Sequence, residues 1–430
     1  MQVEFSLSIG ILLICIYILF IYLSQKKSSK INISWFFLIP IIAYGYFPAF
    51  VFKFYGIETT LSSINGLSWV LSEYDISYII NIFNSILLGL IFLESFLFFS
   101  PKKYNVDYHF SLRQDEIKNL YLIVLILTFI SFFIRYGGIN GYIEFISYSL
   151  RRDAYNELDI GGGGILSRYD LLSLMLFSVS LYYFYEKINY RYLALSIGFF
   201  SIFIIVISGS RLPIFCSLFI WLYISRFYLD NYNRVIIKTI LYILLLIPFS
   251  TFWGVARNSG WGELEYSSYN SILKIIPSEL YSVYFSTSSY IPQGNTSSFI
   301  SMFFPEKILN IFDIQKYSLS EDVNTYLKGP YAAAVYIAPI SIWIVYPLGN
   351  SIMAVLLLTV IIFGLYRALV SFSEKFKFYI CISPVLIASI LFVVRLDPGA
   401  WFSRILQIFI LYFLIQLLVR IFNKLKFKLF

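Results

Sequence analysis

Tyr331–Ser351, YAAAVYIAPISIWIVYPLGNS, decides how this chain is threaded through a membrane. Its apolar residues are numerous enough for a span, yet Pro339, Pro347 and Gly349 interrupt it. If Tyr331 to Tyr346 crosses fully, the basic tail KLKFKLF ends outside, against the excess of Lys and Arg that marks cytoplasmic segments. We read residues 331–350 as a re-entrant or interfacial segment, which returns the tail to the cytoplasm. Broken backbone is tolerated at membrane depth where it is buried in protein or lines a cavity.

Working outward, every other long apolar run falls into place as a span. A bilayer core about 30 Å thick takes about 20 residues of helix. Upstream, the spans run about Phe5 to Ser24, Ile33 to Phe52, Ile79 to Ser100, Leu120 to Ile134, Leu171 to Tyr185, Leu193 to Ser208, a seventh ending near Tyr228, and Thr239 to Val255. Downstream they run about Ser351 to Tyr366, Phe378 to Val394 and Ile405 to Phe422. The first run has no basic residue before it and Lys26, Lys27 and Lys30 after it, so it reads as a span with its N-terminus outside rather than as a cleaved signal peptide. The expectation is an all-α polytopic membrane protein of about eleven spans (ten to twelve), forming one membrane domain over residues 1–430. Residues 137–170 form an outward loop rich in Arg and Gly, and residues 256–330 form an outward cap with short helices.

Composition requires the same class. With 59% hydrophobic and 13% charged residues and a mean hydropathy of +0.77, the chain does not suit a water-soluble fold. Transmembrane barrels are excluded, because their strands alternate in short segments. The net charge of +8 is explained by Lys and Arg on inward loops and at the C-terminus, so no nucleic-acid partner is called for. Cys15, Cys216 and Cys381 lie in apolar segments, and with one histidine they form neither a disulfide framework nor a usual zinc constellation. No metal and no cofactor are expected.

Lysine and arginine behave differently in this topology. Thirteen of eighteen lysines fall on inward segments, whereas eight of fourteen arginines fall outside: Arg135, Arg151, Arg152, Arg168, Arg211, Arg257, Arg395 and Arg404. Guanidinium is the side chain best matched to bidentate recognition of phosphate, so the outward arginines point to an anionic, phosphorylated substrate on that face.

Each cluster has a plainer reading beside the functional one. The 137–170 loop combines Arg151, Arg152, five carboxylates and the run Gly161 to Gly164, which suits close backbone approach to an anion or a loop whose charges pair in water. The GGGG run has no nucleotide-loop spacing. Arg211 in SGSRLP lies between two spans with no other charge near it, a costly place for a guanidinium without a partner; a snorkelling arginine is the alternative. Arg395, Asp397 and Arg404 bracket LDPGAWF, as a ligand clamp or an internal salt bridge. Arg257 marks the start of the cap, with Glu263 and Glu265 near it in sequence. Trp253, Trp261 and Trp401 suit stacking on sugar rings or anchoring at the interface. Glu94, inside the third span, reads as a buried, hydrogen-bonded or neutral acid, and His109 as a solvated residue on an inward loop.

The whole arrangement resembles the Wzy family of O-antigen and capsule repeat-unit polymerases. Three places carry the resemblance: SGSR ending at Arg211; an arginine and a glycine with ten residues between them, Arg151 to Gly162 and Arg152 to Gly163; and VYPLGNSI after the cap. The chain departs from the two-loop pattern, since no matching element starts at Arg257. The resemblance implies a GT-C-like, metal-independent hexosyltransferase of the bacterial cytoplasmic (inner) membrane, facing the periplasm and serving lipopolysaccharide or capsule synthesis. Its donor and acceptor would be undecaprenyl-diphosphate-linked oligosaccharides, with a Wzz-like chain-length regulator as a further partner. Arg211, Arg151 and Arg152 would bind the diphosphate, and Arg257, Arg168, Arg395 and Arg404, with Asp397, would hold substrate. Asp153, Glu157, Asp170 and Glu263 are candidates for the base. Two other readings stay open: a flippase for the same lipid-linked oligosaccharide, and an O-antigen ligase, which relies on an outward histidine.

Overall fold

The computed structural model describes residues 2–28, 32–57, 71–99, 112–149, 164–207, 212–228, 284, 287, 301, 309–313, 340–345, 347, 351–395 and 398–428. All regular structure among them is helical. The helices are α1 (Gln2–Ser28), α2 (Ser34–Ile41), α3 (Phe47–Tyr55), α4 (Glu73–Phe99), α5 (Gln114–Tyr136), α6 (Ile139–Ser149), α7 (Tyr169–Tyr185), α8 (Arg191–Ile207), α9 (Leu212–Ser225), α10 (Ile352–Ser373), α11 (Tyr379–Arg395) and α12 (Pro398–Lys428). Six helical segments among the described residues are long and apolar enough to cross a membrane: Gln2–Gln25, Ser34–Tyr55, Glu73–Phe99, Gln114–Tyr136, Ile352–Ser373 and Trp401–Lys424. Arg191–Ile207, Leu212–Ser225 and Tyr379–Val394 are shorter apolar helices. Phe129 and Phe133 on α5 and Phe199 and Phe203 on α8 are exposed. Such surface suits lipid and would be an aggregation liability in water. The chain is a polytopic membrane protein.

The helices cluster into two compact units, each drawn from three stretches of sequence. The first takes Met1–Asn105, Tyr269–Leu369 and Ser389–Arg404. In it α1 packs along α4, and both run the same way: Ser6 meets Ser77 at one end and Phe20 meets Phe98 at the other. The run α2–α3 returns between them. It carries Pro40 and Pro48, and a π-helical turn, Ile42–Tyr46, joins its halves; prolines and π-turns widen a helix by releasing backbone bonds. Here the widened segment brings Gly45 against the Phe83 ring, 2.6 Å from where a Cβ would stand. One polar thread crosses the packed surface: the Tyr46 hydroxyl donates to Asn84 Oδ1 at 2.7 Å, and Asn84 Nδ2 donates to the Ser6 carbonyl at 3.0 Å. A buried polar group with both partners filled fixes register without the cost of an orphan. Gly89 and Leu93 of α4 meet Thr359 and Gly364 of α10 in ascending order, so α10 runs parallel to α4.

The second unit takes Val106–Ser268, Val370–Ala388 and Ile405–Phe430. Its centre is α7, buried at nearly every position from Tyr169 to Tyr183. A helix hydrophobic all round suits the interior of a large protein. Its Ser178 and Ser180 hydroxyls bond carbonyls, and α5, α8 and α9 pack around it. Directions alternate: Thr128 of α5 reaches the Leu172 carbonyl, Tyr169 that of Ser201 on α8, and Tyr185 bonds Ser225 at the end of α9.

Several helix limits differ from the sequence reading. Helix α10 continues to Ser373, so Arg367 lies within it, not beyond a span ending at Tyr366. Helix α12 begins at Pro398, so most of LDPGAWFSR is helix rather than loop. The 137–170 loop opens with α6 and closes with a short 3-10 turn, Ile165–Ser167. The eighth span lies outside the described residues, as does most of residues 256–330. Of Tyr331 to Tyr346, only residues 340–345 are described, holding the helical turn Ile340–Trp343.

Candidate functional site

The described part of the 137–170 segment is built where α5 ends. Gly137 and Gly138 adopt φ of +68° and +100°, left-handed backbone that side chains disfavour, and the Gly137 amide closes the helix on the Phe133 carbonyl. The chain then turns into α6. The Tyr142 hydroxyl donates to the Ile204 carbonyl at 2.6 Å, and Tyr136, Phe145, Tyr169 and Ile205 form a buried cluster with Phe132 beside it. Gly141 permits this fold-back, since a Cβ there would stand 1.8 Å from the Tyr136 carbonyl oxygen.

Three charges meet at this corner. Arg168, just before α7, donates from Nε and Nη2 to the two oxygens of Asp170 at 3.0 and 2.8 Å. Arg135, in the last turn of α5, brings Nη1 to 3.7 Å from the same carboxylate and lies 5.5 Å from the centre of the Tyr136 ring. Asp170 also sits in the first turn of α7, where helix amides favour a negative charge. With both oxygens engaged, Asp170 orients the guanidinium groups. Of the carboxylates considered as the base, it is the only one among the described residues.

Most of the predicted site is not among the described residues. Arg211, Arg151, Arg152, Asp153, Glu157, Arg257, Glu263 and Asp397 lie outside the described residues, as do His109, Trp253 and Trp261. Arg395 is the last residue of α11. Arg404 sits on an early turn of α12 with its guanidinium carbon 4.0 Å from the centre of the Phe392 ring. Trp401 is buried against Tyr366, with 5.7 Å between ring centres.

Two buried ion pairs escaped the sequence reading. Glu94, 1% exposed, accepts from Asn32 Nδ2 at 2.6 Å on one oxygen, and from the Ser34 hydroxyl at 2.6 Å and Arg367 at 2.7 Å on the other. It is therefore the hydrogen-bonded acid expected, with a cation added. In the second unit Arg226 and the Tyr223 hydroxyl both donate to Glu374, and the Arg226 guanidinium covers the Tyr223 ring at 3.9 Å. The available signal is a single charge inside an otherwise apolar helix, and Arg367 lies one residue beyond the apolar run that ends at Tyr366. Lys377 and Glu116 form a third contact at 2.7 Å, with the lysine half exposed.

Among the described residues no three His, Cys, Asp or Glu side chains gather as metal ligands. No family model, curated protein or solved structure matches the chain. What the described corner offers chemically is a pair of guanidinium groups held by one carboxylate over a wall of aromatic rings, at the two ends of the loop that carries Arg151 and Arg152.

Proposed function

We propose that the protein is a polysaccharide polymerase of the bacterial inner membrane, working on its periplasmic face. A glycan leaves undecaprenyl diphosphate and joins a hydroxyl of a second lipid-linked repeat unit. The bond from the anomeric carbon to the diphosphate breaks, a glycosidic bond forms, and the hydroxyl loses its proton. Negative charge grows on the leaving diphosphate, and arginines held in place before the reaction stabilise it without reorganising. The observation that carries this reading is the convergence of Arg135 and Arg168 on Asp170 at both ends of the 137–170 loop.

The eleven-span count is part of the proposal and has its own support. Arg226, one residue past α9, pairs with Glu374, one residue past α10, so both helices end at one face. An odd number of crossings between residues 228 and 352 suits that arrangement. The proposed topology takes Thr239 to Val255 as the one crossing, with residues 331–350 re-entrant and 256–330 as an outer cap.

The test is the surface-polysaccharide ladder of a deletion strain complemented with wild type, Arg151→Ala or Arg211→Ala at matched expression. The proposal expects the wild type to restore the ladder and each variant to leave a single repeat unit on its acceptor. Lipid-linked units retained on the cytoplasmic side would indicate transport, and full ladders from both variants would remove the arginines from the mechanism.

A further inference from the structure

We infer that Arg135, and not Arg168, is the arginine at the foot of the 137–170 loop that binds a phosphate group. The two guanidinium groups on Asp170 are not equivalent. Arg168 makes a two-point pairing, Nε and Nη2 to the two carboxylate oxygens at 3.0 and 2.8 Å, which occupies the edge an oxyanion would need. Arg135 comes only to 3.7 Å, beyond hydrogen-bonding distance. It donates to no group among the described residues, and its Nε is enclosed with no partner.

A guanidinium carries five N–H donors, and an enclosed one left unfilled is unfavourable. Arg135 nevertheless keeps 28% of its side-chain exposure, so a ligand can reach it. It is also held in place. The Tyr136 ring lies beside it, Asp170 attracts it from one side, and Gly137 ends its helix one residue later. A fixed, charged fork with donor capacity to spare matches a tetrahedral oxyanion, and phosphate is the class arginine takes best. Arg168 is then a positioning residue: by occupying Asp170 it leaves Arg135 only a long contact to that carboxylate. The identification of this phosphate with the lipid-linked diphosphate rests on the polymerase reading. The phosphate site itself does not.

Titration of the full chain in neutral detergent with inorganic pyrophosphate tests the assignment. A hydrogen bond to a charged group is worth about 1.5–3 kcal/mol and tenfold in affinity is about 1.4 kcal/mol, so Arg135→Gln should weaken binding roughly tenfold or more. Arg135→Lys, which keeps charge and stem but loses the fork, should fall between the two. Arg168→Gln should weaken binding less than Arg135→Gln. No binding by the wild type, wild-type affinity in Arg135→Gln, or a larger loss in Arg168→Gln would overturn the inference. If Arg135→Gln is not monodisperse, Arg135→Lys decides: affinity equal to wild type rejects the site.

The source of the phosphate is read by competition. Displacement by phosphatidylglycerol nanodiscs but not phosphatidylcholine nanodiscs means a bilayer headgroup; displacement only by a polyprenyl diphosphate means the carrier lipid. Pyrophosphate bound through Arg135 in a protein that elongates nothing would keep this inference and remove the polymerase reading. Elongation by a protein indifferent to Arg135→Gln in binding would remove this inference alone.

Discussion

Arg367→Leu is expected to destabilise the first unit by about 3 to 5 kcal/mol, the range for removing one partner of a buried ion pair. The cost comes from what is left behind. Glu94 is 1% exposed and would keep only the Asn32 and Ser34 bonds. A carboxylate so enclosed has neither water nor a cation to balance its charge. Glu94→Gln should cost less. Arg367 retains 24% of its side-chain exposure, and a long cationic side chain can extend its head toward the interface. The double variant Glu94→Leu/Arg367→Leu should recover much of the loss, because the desolvated charges go together. Chemical denaturation in one detergent reads all three. Additive losses in the double variant would mean that the two side chains do not act as a pair.

Glu374→Leu is expected to be comparably severe in the second unit. Arg226 has 5% of its side chain exposed, and Glu374 has 13%. Its guanidinium is covered by the Tyr223 and Phe227 rings at 3.9 and 4.6 Å. Cation–aromatic contacts are worth about 0.5–2 kcal/mol each and do not replace a carboxylate. Loss of Glu374 also strands the Tyr223 hydroxyl, which donates to it. An internal control is available in Lys53 and Glu4, 38% and 59% exposed at 3.2 Å. Exposed pairs contribute roughly 0–1 kcal/mol. Lys53→Ala should therefore shift the denaturation midpoint little, while Glu374→Leu should shift it clearly. A small shift for Glu374→Leu would mean that water reaches Arg226.

Helix identity was legible in the apolar runs, and helix limits were not. Helix α4 starts at Glu73, six residues before the run read as a span, and α12 starts at Pro398, seven before. Apolar residues mark the stretch in contact with hydrocarbon, whereas a helix continues wherever its backbone bonds do. The Ser72 hydroxyl and Asp75 carboxylate that close the first turn of α4 are local signals an apolar window ignores. Partnership was not legible either: Glu94 and Arg367 are 273 residues apart, and Arg226 and Glu374 are 148 apart. No local spacing encodes such a contact. The unequal claims of Arg135 and Arg168 on Asp170 were hidden for a different reason, since the two-point geometry that distinguishes them exists only in the folded corner.

Elongation by the purified protein tests the central claim most directly. The full chain is reconstituted in liposomes with undecaprenyl-diphosphate-linked repeat units and no nucleotide sugar. The account predicts lipid-linked dimers and longer chains, with one undecaprenyl diphosphate released per bond formed. Repeat units that cross the bilayer without lengthening, or that remain single with no diphosphate released, would contradict it.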